Sequence, residues 1–198
     1  MEKSVKLDLI AAADRNMGIG QKNMLPWKLT SEFKYFLKIT KPPQGQRNVI
    51  IVGHKTWETM GEVATHPFPG AMNIVLSRSM TTVPSDISDT VVCSSLDNAI
   101  NFIKNLQPQP YRVWVLGGAQ IYKLCLLSPY FHRLYLTQIN RLYHCDAFFP
   151  EEFKVEEYVR VQDPDVPQGM QTDEFDGTQF EIYVYERRIQ EHLAKKKL

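Results

Sequence analysis

Five short runs rich in β-branched and other apolar residues constrain this chain most: 5–13 (VKLDLIAAA), 49–52 (VIIV), 74–76 (IVL), 91–93 (VVC) and 113–116 (VWVL). Runs of this kind read as strands buried on both faces, which marks a largely parallel sheet. Parallel neighbours need crossovers, and helical patterns at 31–40, 55–60, 96–106 and 119–127 fall between the runs. Three later runs, 134–139, 155–161 and 180–185, alternate apolar and polar residues with no helical pattern between them. An antiparallel finish is therefore expected, with a Pro/Gly/Asp-rich loop at 163–178 before the last strand. The expectation is one α/β domain over 1–188, with a central, mostly parallel sheet of eight strands. An antiparallel C-terminal strand and four flanking helices complete it, and the basic tail at 189–198 reads as a solvated end.

Composition narrows the function classes. A chain of 198 residues can bury one sizeable core. Its formal net charge of +1 gives no electrostatic case for nucleic acid or an anionic membrane. No apolar run approaches a membrane span, and the N-terminus lacks a signal-type apolar stretch. The cysteines Cys93, Cys125 and Cys145 are odd in number and far apart, which fits reduced thiols in a cytoplasmic protein. Histidines and cysteines show no metal-ligand spacing, so no metal is expected. Neither a Walker A sequence nor a G-x-S-x-G elbow occurs.

The chemistry concentrates in 16–36, NMGIGQKNMLPWKLTSEFKYF. This segment sets one acid, Glu32, at the start of an aromatic helix behind a glycine-containing loop that carries Trp27. On a helical projection Leu29, Phe33, Phe36 and Leu37 form one stripe, Lys34 and Lys38 point away, and Glu32 falls beside Phe36. A first-turn acid is favoured by the helix dipole and needs no function. A functional reading requires the aromatics to desolvate the carboxylate and raise its pKa towards neutrality. Such a cleft suits a flat heteroaromatic ligand held by one carboxylate.

Three further sites lie at carboxyl ends of strands. In NVIIVGHKTWETM, Gly53 ends a buried run, and a helix opens at His54, Lys55 and Thr56, offering amides and a cation to a phosphate. In IVLSR, Leu76 leads into Ser77 and Arg78, two donors at the edge where open α/β sheets bind ligands. In WVLGGAQIY, Gly117 and Gly118 stand between a strand and a helix. A lone Gly-Gly is weak, but three such sites together point to an extended, phosphate-bearing cofactor across the sheet.

These segments, in this order, closely resemble dihydrofolate reductase. The resemblance runs from about residue 7 to 187 through IAAADRNMGIGQKNMLPW, VGHKTWE, NIVLSR, VWVLGGAQIY, LYLTQI and DAFFP. It is of a monofunctional, eukaryotic-looking kind. It implies NADPH-dependent reduction of 7,8-dihydrofolate to tetrahydrofolate, with hydride to C6 and a proton to N5, in support of one-carbon metabolism. Glu32 would hold the pterin and support N5 protonation through water; Thr137 would bond to Glu32, and Trp27 would hold that water. Leu25 would belong to a mobile loop, 16–25, that closes over nicotinamide. Ile10, Ala11, Ala12, Phe33, Phe36, Met60, Phe68, Leu116 and Tyr122 would line the substrate pocket. Ala12, Ile19, Gly20, Gly53, His54, Lys55, Thr56, Leu76, Ser77, Arg78, Ser94 and Leu116 would meet the cofactor. So would Gly117, Gly118, Ala119, Gln120, Ile121 and Tyr122, with Ser77 and Arg78 on the 2′-phosphate. A cis bond is expected at Gly117–Gly118, and His66–Pro67 is a candidate for another. Dihydrofolate and antifolate inhibitors would be the partners of a monomer.

The chain departs from the family pattern at Ala71, where an arginine normally pairs with the substrate's glutamate. Lys38 and Lys41 are candidate replacements. His54 stands where a basic residue is usual, and Ser94 replaces an arginine near the adenine. Two rivals remain on sequence grounds: a riboflavin-pathway pyrimidine reductase of the same fold, and a non-catalytic pterin- or dinucleotide-binding module. The first would lack the pairing of Trp27 with Glu32; the second would be expected to lose the acid or the glycine pair.

Overall fold

The computed structural model describes residues 4–60, 68, 70–82 and 87–188. Apolar runs long enough to bury both faces take the middle of the sheet. Thus β1 (Leu7–Ala13), β3 (Asn48–Gly53), β4 (Ala71–Leu76), β5 (Thr90–Cys93), β6 (Val113–Val115) and β7 (Phe131–Ile139) are mutually parallel. Four helices cross between them: α1 (Thr30–Thr40), α2 (His54–Met60), α3 (Leu96–Asn105) and α4 (Ala119–Leu126). The last strand, β11 (Gln179–Arg187), runs antiparallel to β7 and pairs with β9 (Tyr158–Val161) and the short β10 (Gln171–Thr172). Across the sheet the order is β10-β11-β7-β1-β6-β3-β4-β5, with β9 off that path.

All eight expected strands and all four helices are present. Residues 155–157 of the expected 155–161 strand form a single 3-10 turn, leaving only 158–161 to pair. A separate two-stranded ribbon joins β2 (Gly18–Gly20) to β8 (Ala147–Phe148). Sequence alone missed it because three residues with two glycines carry no apolar alternation.

The two-residue side-chain period of the strands sorts the core into two layers. Leu7, Leu9, Val49 and Ile51 pack with Ile100 and Ile103 of α3 and Leu126 of α4. On the other face Ile10, Ile50, Trp114 and Tyr135 pack with Tyr35 and Ile39 of α1. Trp57 of α2 packs on Val52 and Val75. No helix among the described residues is long and apolar enough to cross a membrane.

Candidate active site

The carboxyl ends of β1 and β7 meet α1 at Glu32. Thr137 pairs with Ala12 across the strands and is fully enclosed, and its hydroxyl donates to Glu32 Oε1 at 2.9 Å. Glu32 is 9% exposed and forms no ion pair among the described residues. Burial, the largest influence, drives its pKa from 4.5 to about 7; the Thr137 hydrogen bond opposes this and the charge of Asp173 adds to it. A desolvated acid near neutrality, fixed by one neutral donor, is the state that proton exchange at physiological pH requires.

The apolar stripe of α1 borders its buried face. The buried face of α1 is Glu32, Tyr35, Ile39 and Thr40. Phe33 and Phe36 are only half-buried, and Leu37 is 45% exposed. Phe33 stacks on Phe36 at 5.9 Å, and Phe36 meets Phe68 edge-on at 6.0 Å. Phe33 and Phe36 therefore form an aromatic wall beside the acid, while Leu29 is buried in the core with Tyr35 and Ile39. Trp27 is buried, edge-on to Tyr143 at 5.3 Å, and its Nε1 has no protein acceptor. That donor is spare for a ligand or solvent bridge.

The 16–25 loop is anchored from below. Asp14 accepts the amides of Asn16, Gly18 and Tyr143 at 2.9, 2.8 and 2.9 Å. Gly18 is required for contact: a Cβ there would lie 2.5 Å from Cys145 Sγ. Lys22 and Asn23 both take positive φ, so Gln21 and Met24 pair across a tight turn. Thr59 of α2 donates to the Asn23 carbonyl at 2.8 Å. Leu25 stands 44% exposed on this loop.

Along the same sheet edge lies the candidate dinucleotide cradle. The Gly117–Gly118 peptide is cis, as expected, and a second cis bond occurs at Gln107–Pro108. His66–Pro67 lies outside the described residues. Gly53 N donates to Gly117 O at 2.7 Å, which closes the ends of β3 and β6 together. Gly117 has φ +90, and a Cβ there would be 2.6 Å from the Tyr122 ring. A Cβ on Gly53 would be 2.9 Å from Ile121. Tyr122 is buried under the glycines and donates to the Ile10 carbonyl at 2.7 Å, tying α4 to β1. The amides that open α4, at Ala119 and Gln120, have no intrahelical acceptor. Lys55 and Arg78 are exposed at the neighbouring strand ends. Ser77 Oγ accepts the amides of Ser79 and Met80 at 3.2 and 2.8 Å and lies 3.5 Å from Ser79 Oγ. These residues fit a phosphate-bearing dinucleotide: glycines for close approach, free amides and two cations.

Other expected residues sort plainly. Ile10 and Ala12 pack on the α1 face, and Leu116 is half-buried there. The Ala11 side chain belongs to the core on the opposite face. Ile19 is half-buried against that second core, Gly20 lies in β2, and Leu76 is buried at the end of β4. Thr56 Oγ1 would lie 3.2 Å from a Cβ on Gly118. His54 is turned onto Glu58, 3.1 Å away. Ser94 is exposed and accepts from Asn98. Ala71 is buried, and its carbonyl accepts from Arg47, whose guanidinium pairs with Asp89. Lys38 and Lys41 are both exposed. The side chain of Met60 lies outside the described residues. Sequence reasoning missed Asp14, Asp173 and Tyr35; the first two act from loops, which carry no periodic signal.

A desolvated acid on α1 and a cis Gly-Gly turn at the carboxyl end of β6 fit the class of α/β oxidoreductases that use a dinucleotide. A family model described as dihydrofolate reductase matches residues 6–187. A dihydrofolate reductase of Aedes albopictus is 40% identical over 191 residues, covering 92% of this chain and 97% of the relative. Those of Gallus gallus and Bos taurus are each 35% identical, covering 92% and 91% of this chain and 97% of each relative. The chain belongs to the dihydrofolate reductase family.

Proposed function

We propose that the chain reduces 7,8-dihydrofolate to 5,6,7,8-tetrahydrofolate with NADPH as the hydride donor and Glu32 as the acid that supports the proton transfer. One observation carries this reading: Glu32 is buried, held by Thr137, without a cation, and pushed up to about 7. Such a group is shared between its two protonation states at neutral pH. Ionised, it accepts hydrogen bonds from the amino group and ring N–H of a pterin; protonated, it is a proton source for N5 through an intervening water. Trp27 Nε1 is the spare donor that orients that water.

Thr137 fixes which Glu32 oxygen faces the ring, and the tie from Asp14 to Gly18 sets the base of the loop that shields it. Phe33, Phe36 and Phe68 offer the pterin and benzoyl rings an apolar wall. When bound, NADPH supplies the hydride. Ser77 and Arg78 favour it over NADH, because a 2′-phosphate gains a hydroxyl donor and a guanidinium at one strand end. Lys55, Gly117, Gly118, Ala119 and Gln120 take the remaining phosphates and ribose. Positioning of ring and donor in a water-poor site supplies most of the rate, and acid support by Glu32 contributes roughly 10²–10⁴-fold.

Loss of NADPH absorbance on mixing with dihydrofolate tests the reading, run in parallel with NADH and with Glu32→Ala. Robust turnover, largely lost in the variant at neutral pH and weaker with NADH, is the expected result. Binding of NADPH without turnover would instead favour a non-catalytic module.

A further inference from the structure

We propose that Asp173 is a positioning residue for the catalytic acid: from the 163–178 loop it caps the start of α1 and places a second negative charge beside Glu32. This deepens the reading of Glu32 given above and rests on it.

The first amides of a helix need acceptors from outside it. In α1 the N-cap residue is Leu29, whose side chain accepts nothing. The gap is closed from far along the chain. Asp173 Oδ2 accepts from the Ser31 amide at 2.7 Å, across 142 residues of sequence, and Ser31 Oγ accepts from the Glu174 amide at 3.1 Å. The exchange is reciprocal, like a capping box, but its two halves come from different segments. Ser31 directly precedes Glu32, so the same bonds fix where the acid sits along the sheet.

Asp173 is itself held rigidly. It is 2% exposed; its Oδ1 accepts from the Phe175 amide at 2.9 Å, its amide donates to Thr178 O, and its carbonyl accepts from Gly177 N. Glu174 pairs with Lys34 of α1, and Lys28 lies 5.4 Å from the Phe175 ring centre. Loop and helix start are therefore fastened at four points.

Asparagine can cap a helix, but here both carboxylate oxygens accept backbone amides, from Ser31 and from Phe175, and an asparagine offers one acceptor. The charge adds a second role. Charged and titratable groups near the pair are Lys28 ahead of the helix, Lys34 and Tyr35 on α1, Tyr122 on α4, and Glu174 and Asp176 on the loop. Lys34 is taken by Glu174 and Asp176 by Arg141. Asp173 forms no ion pair among the described residues, so its charge acts on Glu32 unneutralised, in the same direction as burial.

The test compares the full chain with Asp173→Asn and Asp173→Ala by three readouts: Tm, the Glu32 titration followed by carbon-13 carboxyl NMR without ligand, and the pH profile of kcat. Asparagine keeps only one of the two acceptor oxygens, so Tm should fall by about 2–4 °C while the Glu32 midpoint falls by roughly half a pH unit. Alanine removes both, so Tm should drop by about 4–8 °C and the midpoint should fall as well. Losses of this size leave both variants folded, so the Glu32 midpoint is read in each and the two readings check one another. A Glu32 midpoint unchanged in the variants overturns the inference. A midpoint that moves while the pH limb of kcat stays in place supports the inference and overturns the assignment of Glu32 as the acid.

Discussion

Two buried acids share the α1 face of the sheet and are treated in opposite ways. Near the amino end of β7, Asp163 accepts from the Tyr135 hydroxyl at 2.8 Å, Arg133 at 3.2 Å and the Asp165 amide at 3.0 Å. Burial pushes it up, but the Asp165 amide, Tyr135, Arg112 and Arg133 together outweigh burial and hold its pKa below the ordinary aspartate value. At the carboxyl end of the same strand, Glu32 has Thr137 and no cation, and burial wins. Arg133, Tyr135 and Thr137 alternate along one strand face, so only about 7 Å separates successive members. The lesson is that burial by itself does not mark a functional acid. A buried acid with a full set of donors and cations is architecture; one left with a single neutral donor is poised to exchange a proton.

The largest effect expected of any single change breaks the poised side. Glu32→Ala should lower kcat/KM for dihydrofolate by roughly 10²–10⁴-fold at pH 8, with partial recovery in acid, where solvent supplies the proton. NADPH consumption at pH 5.5 and 8 reads this directly; equal activity of variant and wild type at pH 8 would remove Glu32 from the mechanism. Next, Asp163→Ala breaks the compensated side. It should cost roughly 2–4 kcal/mol of stability by leaving buried donors unpaired, at the lower end because Arg133 is partly solvated. Denaturant unfolding measures it, and the pH profile of kcat should not move.

A third change sharpens the contrast through linkage. Between pH 4.5 and about 7 the folded state holds a proton on Glu32 that the unfolded chain has released. Stability from this group is therefore full below pH 4.5 and is lost as pH rises through 7. Glu32→Gln keeps an acceptor for Thr137 and removes the charge, so it should stabilise the protein by about 1–3 kcal/mol at pH 8 and by little at pH 4. A stability gain equal at both pH values would contradict the raised pKa. The smallest effect lies away from both acids: Ala71→Arg should tighten a glutamate-bearing antifolate about threefold to tenfold over a lipophilic one. Calorimetric titration of the two ligand types checks it.

Much of this was legible in the sequence, for a physical reason. Central strands bury both faces, so 49–52, 74–76 and 113–116 announced themselves, and strand-end glycines announced the cofactor edge. The aromatic stripe of α1 was legible as one face of a helix, but its period does not say which neighbouring face fills the core, because an apolar wall left open for a ligand has the same period as a buried one. Tyr35 and Ile39, which do the burying, lie on the adjacent face of the helix. Asp163 and Asp173 were illegible because their partners lie across long stretches of chain: Tyr135 is 28 residues away and Ser31 is 142. No window of sequence contains both halves of such a bond, and a loop offers no periodicity to betray it.

The central claim, that Glu32 is poised because it is buried and uncompensated, is tested most directly by the pH dependence of single-turnover hydride transfer in wild type and Glu32→Gln. The account predicts a wild-type rate that falls as pH rises through about 7, and a variant rate that is low and lacks that step. The same step in both proteins would contradict it, because the titrating group would then lie elsewhere.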